Sequence, residues 1–76
     1  MRELVEVIAK ALVDHPDEVV VTEKEEEDAT VIELRVAASD MGKVIGRQGR
    51  IAKAIRSVVK AASTKTDKKV TVEIMQ

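Results

Sequence analysis

Two glycines three residues apart in the stretch KVIGRQGRI (43–51) set the strongest constraint on this chain. Without a Cβ, Gly46 and Gly49 let the backbone turn sharply, so this stretch is a corner between two helices. Ahead of it, Ser39 is placed as the N-cap of a short helix from about Asp40 to Ile45. Behind it, Ile51, Ile55, Val58, Val59 and Ala62 recur at helical spacing and mark one face of a helix running to about Ser63.

The remaining elements follow from periodicity. Leu4, Val5, Ile8 and Leu12 predict a helix from the start to about Val13, and it ends at His15-Pro16 because the residue before a proline is driven out of the α region. EVVVTE (18–23) reads as a strand, and the acidic run EKEEED (23–28) as the connection to the next. In TVIELRVA (30–37), Ile32, Leu34 and Val36 alternate with Val31, Glu33 and Arg35, the pattern of a strand with one face on the core. STKTDKK (63–69) reads as a polar loop and VTVEIM (70–75) as a closing strand. Strands joined through helices run parallel with a right-handed crossover, whereas the first two, joined by a short loop, pair antiparallel. The expected fold is therefore α+β, in the order α-β-β-α-α-β. TVIELRVA is the central strand of a three-stranded mixed sheet, with three helices on one face and solvent on the other.

At 76 residues this is expected to be a single domain spanning 1–76, near the lower limit for one unaided hydrophobic core. The chain has no Phe, Tyr or Trp, so that core must be aliphatic. It has no cysteine either, which removes disulfides and thiolate zinc sites and fits a reducing, cytoplasmic location. The N-terminus does not read as a signal peptide, and no run approaches the ~20 apolar residues of a membrane span.

The net charge of −1 conceals a division. Up to residue 34 there are three bases against eleven acids; from Arg35 onward there are ten bases against three acids. Between Lys43 and Lys60 stand six bases and no acid, and that block contains the glycine corner. At about 100° per residue with Ile51 as zero, the apolar residues of the second helix span roughly −20° to 80°, and Arg50, Lys53, Arg56 and Lys60 about 140° to 260°. The basic stripe thus faces away from the core. Its N-terminal end adds backbone N–H groups and the positive end of the helix dipole, an arrangement that attracts phosphate.

Catalytic chemistry finds little support. The glycines do not fit GxxxxGK[ST], and a dinucleotide fold needs GxGxxG and more βα units than the length allows. His15, the sole histidine, sits at a helix end where a surface or capping role is expected. Glu25, Glu26, Glu27 and Asp28 are consecutive and lack the alternate spacing of a calcium loop, so a solvated turn is the better reading. The chain is read as a non-enzyme without cofactor or metal.

With these features in place, VIGRQGRIAKAIR resembles the GxxG core of a KH domain, a module whose loop clamps the backbone of about four nucleotides of RNA. The element order resembles the type II KH arrangement. LVDHPDEVVV, GKVIGRQGR and KKVTVEI together make nearly the whole chain similar to the small bacterial single-KH-domain proteins of the KhpA family. The resemblance implies single-stranded RNA binding, as an RNA chaperone or post-transcriptional regulator. Gly46, Arg47, Gln48 and Gly49 would clamp the backbone, and Lys43, Arg50 and Lys53 would reach phosphates. Val44, Ile45 and Ile51 would form the floor or flank of a base groove, although each could be a plain core residue. A homodimer, or a heterodimer with a KhpB-like RNA-binding protein, is the partner expectation. The alternative is a KH-fold assembly module working mainly through protein partners.

Overall fold

The computed structural model describes residues 1–63 and 69–75. Six main elements follow in the expected order: α1 (Arg2–Leu12), β1 (Val20–Glu25), β2 (Ala29–Arg35), α2 (Met41–Ile45), α3 (Arg50–Ala62) and β3 (Lys69–Met75). The polar loop read over 63–69 lies largely outside the described residues. The sheet order is β1-β2-β3, with β1 antiparallel and β3 parallel to β2. This confirms TVIELRVA as the central strand and the α+β fold with a three-stranded mixed sheet. Thr30, Ile32 and Leu34 of β2, and Val36 just beyond it, are buried. Ile32, Leu34 and Val36 meet Val5 and Ala9 of α1, Val44 of α2, and Ile55 and Val59 of α3 in one aliphatic core.

Three local expectations are corrected. First, the strand expected at 18–23 begins later and runs further. Pro16–Glu18 forms a 3₁₀ turn with proline at its first position, where its fixed φ suits and its missing N–H costs nothing. β1 then continues through Glu23, Lys24 and Glu25, which pair with Ile32, Val31 and Thr30. Those charged residues read as connection because only Val21 of β1 is buried. Backbone pairing carries the rest of the strand, and its charged side chains suit an edge. Lys24 Nζ lies 3.7 Å from Glu33 on the neighbouring strand, and the Thr22 hydroxyl donates to Glu33 at 3.0 Å. The connection proper shrinks to 26–28, closed by the Glu26 N–H donating to the Ala29 carbonyl at 2.7 Å.

Second, Ser39 does not cap α2. Ala38–Asp40 forms a 3₁₀ turn leading into the helix, and no side-chain bond caps α2. Ser39 is exposed, while Asp40 is 99 % buried with its carboxylate turned elsewhere. Third, the core-facing line of α3 is Ala52, Ile55 and Val59, with Ile51 half-buried at its side. Val58, assigned to the core face by periodicity, is 44 % exposed. On the same angular scale the buried line centres near about 70°, so the apolar arc at about −20° overhangs the core toward α1.

Candidate nucleic-acid interface

The glycine corner takes a conformation that its sequence only partly announces. Gly46 has φ 76° and ψ 173°, and Gly49 has φ 74° and ψ 15°, both in the right half of the Ramachandran map that glycine enters freely. Gln48 between them also lies in the left-handed region, at φ 57° and ψ 25°. That is uncommon for a residue with a Cβ and marks a chain held in shape by its surroundings. The Gly46 N–H closes α2 on the Gly42 carbonyl at 2.9 Å, and the Gly49 N–H donates to the Gly46 carbonyl at 3.1 Å. The Arg50 N–H is engaged with the Arg47 carbonyl, so the corner spends several of its own donors on its shape. Fewer N–H groups face outward than a bare helix start would offer.

Beneath the corner sits Ile51. A Cβ on Gly46 would stand 2.6 Å from Ile51 Cγ1 and 2.9 Å from its Cβ, which explains why this position needs glycine twice over, for angle and for space. A Cβ on Gly49 would meet nothing within 4 Å, so there only the angle matters. Val44 is fully buried and anchors the five-residue α2 in the core. Ile45 is 36 % exposed beside the corner. Of the three apolar residues expected at the groove, Val44 is thus a support, Ile51 a brace, and Ile45 the one with surface to offer.

The cations divide into two groups. Lys43 is engaged: its ammonium lies 3.0 Å from Asp14 and 3.8 Å from Asp40. Arg47, Arg50, Lys53, Arg56 and Lys60 are all exposed and form no ion pair with the described residues. Arg50 donates to the Gln48 side chain at 3.4 Å, linking the two sides of the corner. Arg56, at the other edge of the basic stripe, donates from Nε to the Val72 carbonyl of β3 at 3.4 Å. It borders a cleft of about 160 Å³ with Val70, Thr71 and Val72, on the β3 side of the helix. That cleft needed the tertiary fold to appear, since Arg56 and Val72 are brought together from opposite sides of the loop.

Asp40 organises the approach to α2. Its Oδ1 accepts the Asp14 N–H at 3.2 Å, and its Oδ2 accepts the His15 N–H at 3.0 Å and lies 3.1 Å from His15 Nδ1. A carboxylate can only accept, so Nδ1 carries the proton in this contact. Burial alone would push the Asp40 carboxyl up; the backbone bonds from Asp14 and His15, the imidazole bond and its charge outweigh burial and hold it below the ordinary carboxylate value. The same contact, followed by the attraction of Asp40, raises His15, with smaller pulls from Glu18 and Asp14. His15 is half-exposed but its side chain caps no helix end; it meets instead a residue 25 positions away, for which no local signal existed. Among the described residues no group of three or more His, Asp or Glu side chains could hold a metal ion. No helix among them is long and apolar enough to cross a membrane.

On the side of α3 away from β3, an apolar groove of about 310 Å³ opens toward α1. Ile8 and Leu12 line one wall, and Ile51, Ala54 and Val58 the other. Leu12 is 37 % exposed.

Comparison with known proteins agrees with this architecture. The sequence model of the KhpA/KhpB KH domain matches residues 2–74. RNA-binding protein KhpA of Clostridium perfringens is 63 % identical over 99 % of this chain and all of its own length. The protein of the same name from Listeria monocytogenes is 51 % identical over the full length of both. Among solved structures, Era in complex with MgGDPNP and nucleotides 1506–1542 of 16S ribosomal RNA superposes with a TM-score of 0.59 at 20 % identity. That match covers 97 % of this chain and 30 % of Era, and it speaks to the fold alone.

Proposed function

The chain belongs to the KhpA/KhpB KH-domain family, and from that premise we propose that it binds single-stranded RNA at the Gly46–Gly49 corner and the basic face of α3. The observation that carries this reading is the cluster of five cations, Arg47 to Lys60, on the corner and one face of α3 without an acid partner among the described residues, whereas Lys10, Lys24 and Lys43 are paired and Arg2 and Lys69 stand singly elsewhere. Unneutralised charge along one helix face, starting at an exposed turn and a helix N-terminus, suits a sugar-phosphate backbone. Arg47, Gln48, Gly46 and Gly49 lie against the backbone; Arg50 and Lys53, with Lys43 once released from Asp14, take phosphates. Ile45 flanks the bases, with Val44 and Ile51 supporting from below. The chain has no aromatic ring for base stacking, worth about 1–3 kcal/mol per base elsewhere, so backbone contacts supply most of the affinity and one copy binds modestly. Its cellular work is that of an RNA chaperone or post-transcriptional regulator in the cytoplasm, without catalysis.

The test replaces Arg47 and Gln48 together by Asp. Both side chains are exposed, and Asp is among the residues that enter the left-handed region most readily, so the fold is preserved. The local charge changes from +1 to −2. RNA affinity measured by fluorescence anisotropy is expected to fall at least about tenfold while the melting temperature stays near that of the parent. Unchanged affinity would remove the corner from the interface.

The α1–α3 groove favours a protein partner as well, because Val58 and Leu12 leave apolar surface in water on a chain that is 36 % charged. A second copy seated there would join two weak RNA sites and raise avidity through effective concentration. A KhpB-like protein is the alternative occupant, and it would make the chain an assembly module.

A further inference from the structure

Lys43 is the one cation of the basic block whose charge is already satisfied, and the groups that satisfy it meet the only histidine in the chain. Its ammonium rests on Asp14, 68 % exposed, in the connection between α1 and β1, and also faces the buried Asp40. Asp40 in turn holds the His15 imidazole and the backbone N–H groups of Asp14 and His15. Four ionisable groups from two distant segments thus form one chain: Lys43, Asp14, Asp40, His15. Lys43 lies three residues before Gly46, close enough along α2 for its flexible stem to serve either side.

We propose that Asp14, His15 and Asp40 are positioning residues for Lys43, holding its ammonium in the free protein and exchanging it for a proton on His15 when an RNA phosphate draws Lys43 away. The inference rests on the RNA-binding reading given above and adds a competitor and a proton to it.

The direction follows from charge. The groups facing His15 are Asp14 and Glu18 from its own connection and Asp40 from the start of α2, all of them acids, and Lys43 stands behind two of these. While Lys43 is in place it offsets part of the negative field of Asp14 and Asp40. When it leaves, both carboxylates act more strongly on the imidazole, and the His15 pKa, already raised by Asp40, rises again. By linkage, a group that binds its proton more tightly in the complex makes the complex tighter as pH falls through its range. Asp14 competes with phosphate for Lys43, so its removal strengthens RNA binding. A largely exposed pair is a weak one, which sets the size of that gain at about two- to fivefold.

The single histidine makes the test direct. The His15 imidazole is titrated by NMR in the free protein and in the presence of a saturating random-sequence single-stranded RNA octamer, in wild type and in Lys43→Gln. The octamer affinities of wild type, Asp14→Asn, Lys43→Gln and the double variant are measured at low salt. Asp14→Asn keeps the backbone N–H that Asp40 accepts, so the fold is retained. The expected result is a higher His15 pKa in the wild-type complex than in the free protein, a smaller rise in Lys43→Gln, and two- to fivefold tighter binding by Asp14→Asn that disappears in the Lys43→Gln background. Asp14→Glu, which can rebuild the pair, returns affinity toward wild type. An RNA-induced rise of the same size in Lys43→Gln, or an equal effect of Asp14→Asn in both backgrounds, would overturn the inference and leave RNA binding intact. Failure of the wild-type protein to bind the octamer would overturn the RNA reading and this inference with it.

Discussion

Replacing each of the three glycines by alanine separates angle from space at the corner. At Gly46 both oppose the change. With φ 76° and ψ 173° the residue occupies a region essentially reserved for glycine, where a side chain costs of order 1–3 kcal/mol. The new Cβ would also stand 2.6, 2.9 and 3.0 Å from Ile51 Cγ1, Cβ and Cδ1. Two of those atoms lie near the α3 backbone, so relief requires moving the helix or the corner, and overpacking of this kind costs about 1–3 kcal/mol. The sum is about 2–6 kcal/mol, a large part of the ~5–15 kcal/mol that stabilises an ordinary domain. At Gly49 the left-handed angle alone is violated, and the cost is about 1–2 kcal/mol. Gly42 sits inside α2 with open space around it, so alanine there stabilises by about 0.5–1 kcal/mol. Urea denaturation of the three variants gives the order directly, and each kcal/mol moves the melting temperature of a chain this size by about 4–8 °C. If Gly46→Ala cost no more than Gly49→Ala, the close approach of Ile51 to the corner would be refuted. If Gly42→Ala were as damaging as either, α2 would not be the helix described.

The other predictions concern charge and association. With two to four phosphates neutralised by residues such as Arg47, Arg50, Lys53 and Lys43, log affinity for single-stranded RNA should fall against log salt with a slope of roughly −1.5 to −3, and Lys53→Gln should flatten it. Affinity insensitive to salt between about 50 and 300 mM would exclude backbone clamping. Stability should depend on pH through the Asp40–His15 contact. His15 is raised, so its contribution is full below the ordinary histidine value of about 6.5 and is lost as pH rises through the folded value. Asp40 is lowered, so its contribution is full above the ordinary value of about 3.9 and is lost as pH falls through the folded one. The melting temperature should therefore be highest between about pH 4 and 6.5, and His15→Gln should abolish the decline on the alkaline side. Sedimentation at micromolar to tens of micromolar concentration should show a dimer that Val58→Asp dissociates; a strictly monomeric wild type would refute self-association through the α1–α3 groove.

The sequence alone determined the element order, the central strand and the basic block, because local periodicity, the connections between strands and a count of charges give them without any tertiary contact. Ile32, Leu34 and Val36 alternate whatever they pack against, and six bases without an acid between Lys43 and Lys60 need no fold to be counted. Strand ends were less legible. Glu23 to Glu25 carry no apolar signal, and their place in β1 comes from the ladder they form with β2. Periodicity could give the apolar arc of α3 but not which part of it meets the core, since that depends on where α1 stands, and Val58 was left in water by that choice. Ser39 was the better cap by local rules; tertiary structure instead buried Asp40 and gave its carboxylate to Asp14 and His15, 26 and 25 residues away. The left-handed Gln48 has a related cause, because the corner's path is fixed by the docking of α2 through Val44 and of α3 through Ile55 and Val59 rather than by the preference of the residue itself. Unopposed positive charge was therefore visible in the chain from the start, whereas only packing could decide which of those charges would already have a partner: Lys43 does, through Asp14 from the far side of β1 and β2 as well as Asp40 three positions before it, and the cations along α3 have no acid partner among the described residues.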